Sequence, residues 1–351
     1  MIGRIRRGLD ALVPRAGAPP RIERGDAAAR LREALEAFLV ADEKRYSKLF
    51  LKGRPVPVGD ADAAWFDGAE RAGIVRRGPL GVGVPAVRLF PLHGAFVATD
   101  LLAYDGEDQV FSLMLEQAYF VARMDVRPGD HVLELCVGSG VSALFASDRA
   151  ARVVGVDVSE RALAFAAFNT ALNPGACAVE LRKGSLWEPL AADERFDVIL
   201  VNPPFELVPP GTTHFLHSSG GEDGLDVVRA LLPGLPDRMR PGGRFEIVTW
   251  SPATVAAPTL GEDILLARLL AERFPGRRIE LRVLDDQPLD RRIEDFRKHP
   301  EFAAWRGRLL AAGCVRVPLV WARVGDEPGG VEVREPGDVL RACRDIVAGW
   351  R

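Results

Sequence analysis

The sequence predicts an α/β fold, a mostly parallel sheet covered on both faces, preceded by a small N-terminal helical domain of winged-helix-like outline. Two observations carry this. From about Gly106 onward, short apolar runs alternate with helix-length segments, the pattern of a parallel sheet with crossover helices. Each chemically suggestive motif also falls at the carboxyl end of one of those runs, where open α/β sheets bind ligands.

The elements follow in order. Residues 1–25 hold Pro14, Pro19, Pro20 and several arginines with no apolar period, and are expected to be mobile. Asp26 can cap a helix whose Leu31, Leu35, Phe38 and Leu39 recur at helical spacing. A second helix is expected over Asp62–Ala72, then strands Ala86–Phe90 and Ala95–Thr99 around Pro91-Leu-His-Gly. Residues 1–105 are thus read as an accessory domain for substrate selection or dimerisation, and 106–351 as the main domain. In the latter, Glu107–Met124 reads as one apolar helix. Strands are expected at His131–Leu135, Arg152–Val156, Val179–Arg182, Val198–Val201 and Phe245–Thr249.

Composition narrows the class. With 48% hydrophobic and 27% charged residues in 351, the chain has the make-up of a soluble globular protein. A net charge of -3 argues against a dedicated nucleic-acid binder. Cys136, Cys177, Cys314 and Cys343 are scattered without metal-ligand pairing, so disulfides are not expected and a reducing cytoplasm is. No apolar run approaches the roughly 20 residues that span a bilayer, and no signal-peptide core follows the basic Met1–Arg7.

The first strand runs into a glycine-bearing turn, Cys136-Val-Gly138-Ser-Gly140, whose glycines allow a tight bend and a close ligand approach. The next strand ends in Asp157, followed by Val158. A carboxylate there can accept both hydroxyls of a ribose, or cap the following helix. A dinucleotide would prefer a third glycine within the helix, but Val141-Ser-Ala-Leu follows Gly140. Glu134 fits another need: it can meet the cationic amino group of a methionine moiety, directly or through water. That points to S-adenosylmethionine (SAM) rather than NAD.

The fourth strand ends in Asn202-Pro203-Pro204-Phe205. Two prolines stop the strand and stiffen the turn, so Asn202 is presented with little freedom. Its side-chain oxygen and the Pro203 carbonyl can accept the two hydrogens of a substrate NH2 group, whose delocalised lone pair makes it a poor nucleophile. Phe205 can stack on the planar group, and Pro204 adjoins the substrate.

With these residues in place, the chain resembles the Rossmann-like class I SAM-dependent methyltransferases. The resemblance implies SAM as cofactor, with Glu134, Cys136, Gly138 and Gly140 in the first motif and Cys136 in the place of the usual first glycine. It implies Asp157 and Val158 at the ribose and adenine. Ser185 and Leu186 fall at the adenine, Ser185 standing where an Asp is usual. Asn202 lies at the methyl group. The N-P-P-[YF] box is similar to that of amino-methyltransferases acting on glutamine amides, adenine or guanine. Gly220–Arg229 and Met239–Gly243 resemble the corresponding region of release-factor and ribosomal-protein glutamine methyltransferases. Phe205 stands where those have tyrosine, and phenylalanine is commoner in ribosomal-RNA guanine methyltransferases with this box; the loop Glu206–Ser219 is short for the glutamine enzymes.

The resemblance implies methylation of an amide or amino nitrogen, with a protein glutamine or a small metabolite as acceptor ahead of RNA. The alternatives are another displacement on SAM, such as cyclisation or aminopropyl transfer, and a non-catalytic SAM-binding partner protein. His214 and His217 lie in the loop over the substrate mouth and are candidates for substrate contact; no metal is expected, since no carboxylate or cysteine cluster joins them. Phe111 and Tyr119 either wall the cofactor pocket or pack in the core. Asp285–Lys298 reads as a partner-facing or substrate-covering insertion, or as a solvated helix face.

Overall fold

The structure, a computed structural model, describes residues 17–212, 215–254, 261 and 263–350. Residues 1–16, within the segment expected to be mobile, and His214 lie outside the described residues. Among those described, no helix is long and apolar enough to cross a membrane.

The first helix, Asp26–Ala41, buries Ala28, Leu31, Leu35 and Phe38 along one stripe, as the spacing required. Its N-cap is Gly25 and not Asp26; Asp26 sits in the first turn, where its charge still opposes the helix dipole. Phe38 stacks on Trp65 of the helix Ala63–Arg71, with ring centres 4.2 Å apart. Strands β1 (Val56–Pro57), β2 (Val75–Arg77) and β3 (Val82–Pro85) form a small sheet in the order β1-β3-β2. A hairpin follows, β4 (Arg88–Leu92) and β5 (Ala95–Thr99), turning at His93 and Gly94, both with positive φ.

The hairpin docks through two buried asparagines of the helix Glu160–Leu172 and its C-cap. Asn169 Oδ1 accepts the Ala98 N–H at 2.7 Å while its Nδ2 donates to the Ala98 carbonyl at 2.9 Å. Asn173 repeats the pattern on Phe96, accepting at 2.9 Å and donating at 2.8 Å. One helical turn apart, the two amides replace the strand that β5 lacks on that edge.

The expected helix Glu107–Met124 is shorter, Leu115–Arg123. Upstream of it the chain is irregular because Asp100 captures Val110. The Asp100 carboxylate accepts the Val110 N–H at 2.9 Å and the Arg161 Nε–H at 2.8 Å, and the Asp100 N–H donates to the Val110 carbonyl. A side chain that binds a backbone N–H competes with the helix for it.

The central sheet has eight strands in the order β13-β11-β12-β10-β9-β6-β7-β8. These are β6 (His131–Leu135), β7 (Arg152–Asp157), β8 (Val179–Lys183), β9 (Phe196–Val201), β10 (Met239–Trp250), β11 (Arg277–Pro288), β12 (Arg316–Pro328) and β13 (Val331–Arg334). Strands β6 to β10 pair in parallel, and β12 lies antiparallel between β10 and β11. Alternate residues face opposite layers: Val198 and Leu200 of β9 join one apolar cluster, Ile199 and Val201 the other. The first cluster extends from Leu31 through Trp305 and Trp321 to Trp350, so the N-terminal helices and the last helix, Gly337–Ala348, share it with the sheet.

From β6 the chain winds to β7 and β8 on one side, then returns to β9 and β10 on the other. The order reverses between β6 and β9, which is where a doubly wound sheet opens a crevice.

Candidate active site

A cavity of about 640 Å³ occupies that crevice. Strands β6, β7, β8 and β9 each deliver residues at or just beyond their carboxyl ends to its wall: Cys136, Asp157, Ser185 and Asn202 among them.

The turn after β6 is built around left-handed backbone. Cys136 has φ 59°, a conformation that costs a residue with a Cβ about 1–2 kcal/mol relative to glycine. Gly140 has φ 75°, and a Cβ there would lie 2.7 Å from the Cβ of Ala166; the helix Glu160–Leu172 packs too closely for any side chain. Gly140 therefore stands behind the cavity wall, whereas Cys136, Gly138 and Glu134 form it.

Glu134 is buried, and its Oε2 accepts the Ala143 N–H at 2.7 Å at the start of the helix Val141–Ala146. Burial pushes its carboxyl up to about 8, against the pull of the Ala143 and Ser142 hydrogen bonds, and nearby Asp157 raises it further. Asp157 Oδ2 accepts from Gly138 N at 2.9 Å and Oδ1 from Ser159 N at 2.9 Å. Burial raises it too, against those backbone donors. Burial pushes the Cys136 thiol far up, so it stays neutral. Val158, Ser185 and Leu186 continue this wall.

On the opposite side are Asn202, Pro203, Pro204 and Phe205. Asn202 Oδ1 is buried and has no hydrogen-bond partner among the described residues. The box is held from behind by the Gly220–Gly224 segment. Glu206 N donates to Ser218 O at 2.7 Å, Gly220 N to Glu206 O at 2.9 Å and Val208 N to Gly221 O at 3.0 Å. Gly224, with φ 83°, comes so near that a Cβ would lie 2.7 Å from the Phe205 carbonyl oxygen. His217 closes the mouth, its ring 4.8 Å from Phe111 and 5.1 Å from Phe215. Tyr119 is buried away from the cavity, its hydroxyl donating to Pro336 O at 3.3 Å.

Among the wall residues that the sequence reading did not single out are Glu116, Glu206, Trp250 and Arg292. Arg292 belongs to the segment Asp285–Lys298. That segment finishes β11 and makes a helical turn, Leu289–Arg292, with most of its residues exposed. The turn carries the guanidinium inward, paired with Glu206 and 4.6 Å from the Trp250 ring centre. The arginine-rich composition was the only signal, and it could not say which arginine turns in.

The donor set suits a positively charged nucleoside. Two carboxylates, Glu134 and Asp157, stand on adjacent strands in the wall, each accepting backbone N–H groups. Asn202, whose Oδ1 is buried and without a donor among the described residues, belongs to the other half of the cavity's lining.

The residues 116–260 match the family model of the methyltransferase small domain. The release factor glutamine methyltransferase of Cereibacter sphaeroides is 34% identical over 276 residues, 75% of this chain and 92% of that protein. The ribosomal protein uL3 glutamine methyltransferase of Bradyrhizobium diazoefficiens is 39% identical over 124 residues, and the release factor glutamine methyltransferase of Geobacter sulfurreducens 41% over 123. Those two matches cover 32% of this chain in each case, and the chain spans only 39% and 42% of the relatives' lengths. Sheet order, strand-end residues and the near full-length relative agree, and the chain belongs to the class I SAM-dependent methyltransferases.

Proposed function

We propose that this protein methylates the side-chain amide nitrogen of a glutamine in a protein substrate. The observation that carries the reading is the buried Asn202 Oδ1 without a donor. An unsatisfied buried acceptor costs about 1–3 kcal/mol, and an incoming N–H removes that cost. The relatives' names support a glutamine as the source of the N–H.

When bound, SAM supplies an electrophilic methyl group on a sulfonium. The chain's residues do the rest. Glu134 holds the ammonium and Asp157 the ribose hydroxyls, while Val158, Ser185 and Leu186 flank the adenine. Asn202 Oδ1 and the Pro203 carbonyl take the two amide hydrogens and aim the nitrogen in line with the methyl group. Phe205 stacks on the amide plane, and Pro204 and His217 border it. The N-terminal part, to residue 105, selects the acceptor.

Methyl-labelled SAM incubated with fractionated lysate tests this. Label should enter protein, and acid hydrolysis should release it as methylamine from an N-methylated amide. Label confined to RNA or small molecules would sink the glutamine assignment.

A further inference from the structure

Among the described residues six carboxyls line the cavity, and five are engaged. Glu134 and Asp157 accept backbone N–H groups. Glu206 is paired with Arg292, Asp108 accepts from the Tyr104 hydroxyl at 2.6 Å, and Asp226 lies 3.4 Å from Arg229. Glu116 differs. It is 8% exposed, and the hydrogen bond it receives comes from its own backbone N–H. The charged groups facing it are Glu206 and Arg292, which already neutralise each other. Because Glu206 follows directly on the Asn202–Phe205 box, Glu116 stands on the acceptor side of the cavity.

We propose that Glu116 takes the proton that the acceptor nitrogen sheds when it is methylated; this rests on the reading of the acceptor as an amide or amino nitrogen. The nitrogen lone pair forms the new N–C bond while the C–S bond breaks, its electron pair remaining on sulfur to leave a neutral thioether. The nitrogen is then cationic with one hydrogen in excess. The electrons of an N–H bond return to nitrogen, and the proton passes to a Glu116 carboxylate oxygen, which later gives it to solvent. The Asn202 amide and the Pro203 carbonyl accept hydrogen bonds but are too weakly basic to keep a proton. Burial pushes the Glu116 carboxyl up to about 7, with Glu206 adding to the rise and Arg292 opposing it. Near neutrality such a group can both take and release a proton.

Two measurements on the full chain test this. Infrared titration of the protein alone should show a protonated carboxyl lost near pH 7 that is absent from Glu116→Gln. Glu134 and Glu246, also raised by burial, titrate in the same region, so the difference between parent and variant makes the assignment. With methyl-labelled SAM and N-acetylglutamine methylamide as probe, the parent's kcat should rise with pH through about 7. Glu116→Gln should lose that rise and about 100-fold in kcat, with KM for SAM little changed, and Glu116→Asp should recover part of both. If label enters only another acceptor from lysate, the glutamine reading fails and the same comparison on that acceptor decides the role of Glu116. A Glu116→Gln variant with the parent's kcat and pH profile overturns the proposal, as does an infrared titration identical to the parent's. Absence of transfer to any fraction overturns it together with the function it serves.

Discussion

The Asp157 carboxylate holds the glycine turn of the neighbouring strand: its Oδ2 accepts the Gly138 N–H at 2.9 Å, and its Oδ1 accepts the Ser159 N–H at 2.9 Å. One side chain thus fixes the ends of both β6 and β7, and each oxygen keeps a lone pair for a further donor.

Asp157→Ala should therefore weaken SAM binding by more than ribose contacts alone, since hydrogen bonds to a charged group contribute about 1.5–3 kcal/mol each and the Gly138 turn is also released. Asp157→Asn can serve only one of the two backbone N–H groups, because its other terminus is a donor. It should bind between the parent and Ala. Calorimetric titration with SAM checks the order, and parent-like binding by Asp157→Ala would falsify the ribose assignment.

Cys136 offers a test of strain. Cys136→Gly removes a left-handed penalty of about 1–2 kcal/mol and gives back about 0.4–1 kcal/mol through the freer unfolded chain. The balance is a rise in stability of between about 0 and about 1.6 kcal/mol. Cys136→Ala keeps the Cβ and so keeps the strain. Denaturant titration of the pair separates the backbone effect from loss of the thiol; a glycine variant less stable than the alanine variant by about 0.4–1 kcal/mol would mean that φ 59° costs nothing here.

Asn169 joins the hairpin to the cofactor turn, for its Nδ2 also donates to the Ser139 carbonyl at 2.8 Å. Asn169→Leu leaves the Ala98 N–H buried without an acceptor, at about 1–3 kcal/mol, and frees Ser139. Hydrogen exchange at Ala98 should accelerate and SAM affinity should fall. Unchanged exchange at Ala98 would show that the asparagine does not hold that edge.

The parallel strands and their end residues were legible because a buried strand is a short apolar run and a ligand site lies where such runs stop. Glu134, Asp157 and Asn202 could be found that way. Arg292 and Glu116 could not: they reach the cavity by long-range packing, from the helical turn Leu289–Arg292 and from the helix Leu115–Arg123. The helix start at Glu107 failed for a related reason. Asp100 lies before that segment, and nothing in the periodicity shows that its carboxylate takes the Val110 N–H. The antiparallel β12 insertion was equally invisible, since pairing order leaves no local mark.

Binding should also depend on pH. In the protein alone, burial holds Glu134 up to about 8, so at pH 7 it is mostly protonated. An ammonium beside it favours the carboxylate, lowers its pKa and expels the proton. Affinity for SAM should then rise from pH 6 towards 8. Calorimetry at pH 7 in two buffers of different ionisation enthalpy should detect proton release, and Glu134→Gln should abolish it. Proton uptake would place the ammonium elsewhere.

Asn202 separates stability from chemistry. Its unpartnered Oδ1 is a liability in the protein alone, so Asn202→Ala should leave stability unchanged or raise it by up to about 1–3 kcal/mol. The same variant loses one preorganised acceptor for the amide hydrogens, comparable to removing one oxyanion-hole donor. Turnover should fall about 100-fold to 1000-fold, with SAM affinity nearly unchanged, since the proposed function assigns the cofactor's charged and ribose groups to Glu134 and Asp157. Asn202→Asp keeps an acceptor oxygen and should retain part of the activity on a neutral amide. Thermal denaturation, SAM titration and single-turnover kinetics on one variant set give the three readings. A variant as unstable as a core deletion would mean that Asn202 is structural, and a variant at the parent rate would remove the nitrogen acceptor. Only a slow, stable, SAM-competent Asn202→Ala fits an oxygen kept unsatisfied for the substrate.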